Sequence, residues 1–172
     1  MARARARRSA WWLLLLVLIA VVAVVRVVRQ RPAPVEVYFV RTVGSGRLSS
    51  LAAVRRPAPP GPPEARLEAA LRALLLGAGD PQLHTEIPEG TALLGVRVRD
   101  GIATVDLSAT FAAGGGSTSM LGRVWQVVYT ATQFADAPAA QILIDHKRVE
   151  ALGGEGIVIG SPLRRPATPP SF

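Results

Sequence analysis

Ala10 to Val25 (AWWLLLLVLIAVVAVV) is sixteen residues without a charge, and no other feature constrains the chain so strongly. If Arg26 snorkels, the apolar run reaches Val28, nineteen residues in all. At ~1.5 Å per residue such a helix measures ~28 Å, close to the ~30 Å hydrocarbon core of a bilayer. Such a run cannot be a core helix of a small domain, because it is apolar on every face. Residues 10–28 therefore read as a transmembrane span, with Trp11 and Trp12 at headgroup level and Leu13 to Val25 crossing the lipid.

Four arginines precede the charge-free run and three (Arg26, Arg29 and Arg31) follow it closely, so the positive-inside bias places residues 1–9 in the cytoplasm by a narrow margin. A cleaved signal peptide is the alternative. The apolar core is longer than the usual ~7–15 residues, and no A-x-A triplet precedes a plausible mature start. The expectation is an uncleaved signal anchor in the cytoplasmic membrane, single-pass, with the C-terminal domain extracytoplasmic.

The leader also explains the charge. Residues 1–31 hold seven arginines and no acid, whereas the remainder has 13 basic and 12 acidic side chains. A nucleic-acid partner needs positive charge on the folded body, so none is expected. Cysteine is absent, which excludes a disulfide framework, thiolate metal sites, a cysteine nucleophile and a lipidated cysteine. The two histidines, His84 and His146, leave little for a metal site or triad.

Residues 29–34 form a linker stiffened by two prolines. Val35 to Val40 alternates as a first strand, and Leu48 to Arg56 is a weaker second that ends at Pro57. Pro57 to Pro63 (PAPPGPP) reads as a stiff connector ending in a helix-starting proline rather than as a ligand for a proline-reading domain. Leu67, Leu71, Leu74 and Leu75 mark the buried stripe of a helix over 64–76, with Glu68 and Arg72 paired outside and Gly77 as C-cap. Thr91–Arg99 and Ile102–Ser108 alternate on either side of Asp100-Gly101, a strong hairpin signal. Ala103, Val105 and Leu107 should face the core, with Thr104, Asp106 and Ser108 opposite. After a glycine-rich loop, with Ser117, Thr118 or Ser119 as cap, a helix over 120–134 buries Met120, Val124, Val127, Val128 and Ala131. Its Arg123, Gln126, Thr130 and Gln133 are expected towards water. Ala140–Asp145 is a final core strand, followed by a short closing strand at Ile157–Ile159 and a disordered tail at 166–172. The fold class is α+β: a single domain over 35–165, two helices packed on one face of a mostly antiparallel sheet, preceded by the transmembrane helix.

Candidate chemistry is sparse. Gly114, Gly115 and Gly116 before a helix suggest an anion cradle, but the lysine and spacing of a phosphate loop are missing. His84, Glu86 and Glu89, with Asp145-His146, lack metal-ligand spacing. Asp106, Ser108 and a histidine invite a hydrolase triad, yet no G-x-S-x-G elbow exists. Trp125, Tyr129, Phe134, Tyr38 and Phe39 read as core rather than a ligand cleft. No catalytic, metal or cofactor residue is assigned.

VEVYFVR (35–41), ALLLG (73–77), TEIPEGTALLGVRVRDGIATVDLSATF (85–111), RVWQVVYTATQFADAPAAQILID (123–145), and GGEG with PLRR together resemble the GerMN family, the sporulation and spore germination domain of bacterial envelope proteins. That family commonly turns with Asp-Gly after the last strand, where this chain has Asp145-His146-Lys147-Arg148. The resemblance implies extracytoplasmic exposure and, in sporulating bacteria, support of a channel between mother cell and forespore; the absence of chemistry beside a well-patterned small core adds the expectation of action by protein–protein contact, as scaffold or stabiliser. The resemblance transfers no catalytic residues. The expected partners are the lipid bilayer, through the N-terminal helix, and an envelope protein. Thr104, Asp106, Ser108 and Gly114–Gly116 are candidate contact residues. Peptidoglycan, bound by the glycine-rich loop and loop 77–90, is the alternative.

Overall fold

A computed structural model of the chain describes residues 15–21, 34–43, 48–153 and 156–172. Residues 15–21 are helical and exposed, and no helix among the described residues is long and apolar enough to cross a membrane. Trp11, Trp12, Leu13 and Val25 of the expected span lie outside them. The leader and the body from Ala33 to Phe172 are separate units.

In the body, β1 (Val35–Val43) pairs antiparallel with β2 (Leu48–Arg56). Helix α1 (Pro63–Leu76) follows, with proline in its first turn and Gly77 closing it through an N–H bond to Leu74. Leu67, Leu71 and Leu74 are fully buried, each such side chain contributing ~1.5–3 kcal/mol. Leu76, one step off the stripe, is 89% exposed. Strands β3 (Leu93–Arg99) and β4 (Ile102–Leu107) form the expected hairpin. Asp100 and Gly101 both take positive φ (51° and 76°), the twist a two-residue hairpin turn requires. Ala103, Val105 and Leu107 are buried.

A 3₁₀ turn (Ala109–Ala112) leads to helix α2 (Ser117–Ala131) and strand β5 (Ala139–Ile144), with the short pair β6 (Ala151–Leu152) and β7 (Ile157–Val158) beyond. The α2 cap position is Gly116, with no side-chain cap from the serines or threonine. The element order is the expected one and the fold is mixed α and β, but the strands do not form one mostly antiparallel sheet. Among the described residues they form three: β1–β2, β3–β4–β5 and β6–β7, and β5 runs parallel to β4. Connectivity is the reason. The α2 segment carries the chain back to its starting end, so β5 re-enters in the same direction as β4.

The two larger sheets are joined by α2. Residues 36, 38 and 40 of β1 turn their backbone groups away from β2, and each is answered. Gln133 Nε2 donates to Glu36 O (2.8 Å) and its Oε1 accepts from Glu36 N (2.7 Å). Thr130 Oγ1 accepts from Tyr38 N (3.1 Å), and Gln126 Nε2 donates to Tyr38 O (3.1 Å). Val40 exchanges two backbone bonds with His84. A helical stripe of amides and a hydroxyl thus stands in for a third strand along β1. This corrects the expectation that Arg123, Gln126 and Thr130 face water: all three are buried. Unmet donors and acceptors on the β1 edge make burial of polar side chains there favourable.

Residues 166–172, read as a disordered tail, also have structure. Leu163 exchanges two backbone bonds with Ala140 of β5, and Phe172 exchanges two with Ser49 of β2. The last ten residues bridge both sheets, because each offers an edge with open backbone groups.

Candidate functional site

Thr104 and Asp106 lie on the sheet face away from the helices, as expected, and line a shallow pocket of about 140 Å³ with Gly95, Arg97 and Leu143. Gly95 sits at a β-bulge in β3 opposite Asp106, and nothing lies within 4 Å of where its Cβ would be. The missing side chain opens the notch. Asp106 is only 8% exposed and already engaged: Oδ1 accepts from His146 N (3.0 Å) and Oδ2 from His146 Nδ1 (2.5 Å). Asp145 and His146 both have positive φ (46° and 66°), so histidine occupies a left-handed position where glycine is most at ease. The contact to Asp106 holds it there.

Ser108 is not part of the pocket. Its Oγ accepts from Ala92 N (2.9 Å) and its own N–H donates to Ala92 O (2.9 Å), which ties the end of β4 to the start of β3. His84 Nε2 lies 3.2 Å from Glu86 Oε1 and is paired with neither Ser108 nor Asp106. The two histidines therefore serve different acids. Among the described residues no group of three His, Asp or Glu is arranged to hold a metal.

The glycine-rich loop is built around a cation. Arg123, 2% exposed, donates from Nη1 to Phe111 O (2.8 Å) and Ala113 O (3.0 Å), and from Nη2 to Gly114 O and Ser119 Oγ (both 3.1 Å). Carbonyls, not N–H groups, point inwards, the reverse of an anion cradle. Gly115 has φ 79°, and a Cβ there would lie 2.5 Å from Arg123 Nη2. Gly114 and Gly115 thus close the chain over a guanidinium while staying exposed on their outer side. Burial pushes the Arg123 pKa below its usual value, with Glu86 opposing, and the group stays charged. Gly115→Ala is expected to cost ~1–3 kcal/mol by denaturant melting, and the loss should shrink in an Arg123→Met background, where the clash with Nη2 is gone while those with Ser119 and the positive φ remain.

The aromatics divide. Phe39 is fully buried, and Phe134 stacks under Arg66. Tyr38, Tyr129 and Trp125 form a cluster, with Tyr38 and Tyr129 ring centres 5.2 Å apart. Arg165 from the C-terminal segment lies over both tyrosine rings at 5.0 and 4.9 Å and donates to Tyr129 O (2.5 Å), Thr132 Oγ1 (3.0 Å) and Tyr38 Oη (3.3 Å). Burial raises the pKa of both phenols, and the nearby guanidinium counteracts it; at Tyr38 the hydrogen bond to Glu36 adds to the rise. The fold favours the neutral phenols, so this contribution is complete below the unfolded value of about 10 and is lost as pH climbs through the raised folded values. These are the two tyrosines of the chain. Alkaline phenolate absorbance should show both titrating above 10; a midpoint at or below 10 for either contradicts the packing.

The sequence matches the family described as "Germane: Sporulation and spore germination" over residues 36–150. Solved structures share the fold, among them the following three. The tandem GerMN domains of the sporulation protein GerM from Bacillus subtilis align with a TM-score of 0.61 at 19% identity over 78% of this chain. This chain spans 45% of that tandem protein. The first GerMN domain alone gives 0.57 at 22% identity, covering 77% of this chain and 98% of that one. A Clostridium perfringens protein described as a lipoprotein gives 0.56 at 22% identity, covering 78% and 88%. No curated protein matches the sequence.

Proposed function

The chain belongs to the sporulation and spore germination family, and from that premise we propose a membrane-anchored envelope protein whose domain works outside the cytoplasmic membrane by protein contact, as scaffold or stabiliser. The apolar run of residues 10–28 supports the anchoring.

One observation carries the mode of action. Arg123 and Gln126, expected to face water, and Asp106, the acid of the considered triad, are occupied by the protein's own backbone, whereas the outer face of β3–β4–β5 is open around Gly95, Arg97, Thr104 and Leu143. A notched sheet face with a charged rim suits a side chain of another protein. We therefore read the domain as non-catalytic.

Protease added to intact spheroplasts tests the topology. Residues beyond the linker should be digested while a cytosolic marker survives; equal protection of both contradicts the reading. The alternative, a peptidoglycan-binding module, retains one supporting feature: an open pocket of about 370 Å³ beside Gly77, Thr85 and Gly90 in loop 77–90. NMR titration with peptidoglycan fragments separates the two, since shifts confined to that loop favour the ligand and silence favours protein contact.

A further inference from the structure

The entry of the body carries an open pocket of about 440 Å³ whose lining includes Pro34, Glu36, Arg55, Arg66, Gln133 and Phe134. Its members come from four places. Arg55 stands opposite Glu36 in the β1–β2 register, Arg66 belongs to the first half of α1, and Gln133 and Phe134 follow the end of α2. Three of them are held in place. The Arg66 guanidinium lies 5.0 Å from the centre of the Phe134 ring. The Gln133 amide is fixed by both backbone groups of Glu36 and by Thr130 O.

The two arginines lack what such groups ordinarily have. Among the described residues neither has a carboxylate within 4.0 Å. Arg66 Nε is buried and has no hydrogen-bond partner. A guanidinium fork matches the oxygens of a phosphate. Glu36, whose Oε2 accepts from Tyr38 Oη (2.8 Å), is the acid on the rim. Two arginines and one glutamate leave the lining at +1, which suits a singly charged phosphodiester better than a phosphate monoester carrying close to two charges.

We propose that this pocket binds a phosphodiester, and that its source is the headgroup of membrane phospholipids. The choice of source rests on the anchoring proposed above. In the sequence only six residues, 29–34, separate the proposed span from β1, which makes the lipid headgroup the phosphodiester to test first.

The test uses the full chain and the NMR signals of its arginine Nε–H groups. In a phosphate-free maltoside micelle, dimethyl phosphate should move the Arg66 signal more than inorganic phosphate does at equal concentration. Transfer to phosphatidylglycerol nanodiscs should move it in the same direction. Arg55→Gln, a change at an exposed strand position, should remove most of both shifts while leaving the remaining spectrum folded. An Arg66 signal indifferent to dimethyl phosphate overturns the pocket, whatever the membrane does. A signal that responds to dimethyl phosphate but not to the discs, with the chain inserted in them, overturns the lipid source. A chain that never enters the discs overturns the anchoring and the lipid source together, while the dimethyl phosphate arm still decides the pocket.

Discussion

Replacing Arg123 with methionine is expected to destabilise the domain by ~3–5 kcal/mol, a large part of the ~5–15 kcal/mol a domain of this size possesses. Methionine retains much of the volume but removes the donors that meet the carbonyls of Phe111, Ala113 and Gly114. The Phe111 carbonyl then remains buried and unmet, or the loop opens to water and gives up its packing. At a few degrees per kcal/mol the melting temperature should fall by more than ~10 °C. Lysine should recover only part of the loss, because a compact ammonium cannot span acceptors on both sides of the loop. Equilibrium denaturation of the three proteins reads the effect. An Arg123→Met domain within ~1 kcal/mol of the parent would mean that the loop does not depend on the guanidinium.

Gln126→Ala should be nearly as severe, at ~3 kcal/mol. Gln126 is fully buried and meets two backbone groups at once: it donates to Tyr38 O and accepts from Glu86 N (2.8 Å). Alanine leaves both unmet and adds a cavity. The change also uncovers part of the β1 edge, so the variant should self-associate more readily than the parent. Amide exchange locates the damage. The Glu86 N–H should lose protection first, and that of Tyr38 less, because Thr130 still accepts from it. Gln133→Ala, at a partly exposed position, should cost clearly less than Gln126→Ala. Equal losses would mean that the amides do not act as individual edge partners.

These positions also mark where sequence reasoning reaches its limit. The elements that depend on near neighbours were readable: the leucine stripe of α1, the Asp100-Gly101 turn and the buried Ala103, Val105 and Leu107 follow from periods of 3.6 and 2 and from turn chemistry. The roles of Gln126, Thr130 and Gln133 depend on strand residues some 90 positions earlier, with separations of 88, 92 and 97. A helical wheel taken alone places such residues in water. A signal was present, since 126, 130 and 133 recur at helical spacing beside the apolar stripe, and they match alternate residues of β1. Glycine-rich loops are commonly associated with anions, and only the orientation of the carbonyls showed that Gly114 and Gly115 enclose Arg123. The parallel β4–β5 pair was implicit in strand, helix, strand order. The Arg55–Arg66 pocket had no local signature, because its residues come from distant parts of the chain.

The central proposal is that the domain acts by protein contact through the outer face of β3–β4–β5. Photo-crosslinkers placed in living cells at Arg97 and Thr104, with a control at exposed Arg72 on α1, test it most directly. Discrete adducts with an envelope protein at Arg97 and Thr104, absent at Arg72, are predicted. No adduct at either position, or the same adducts at all three, would contradict it.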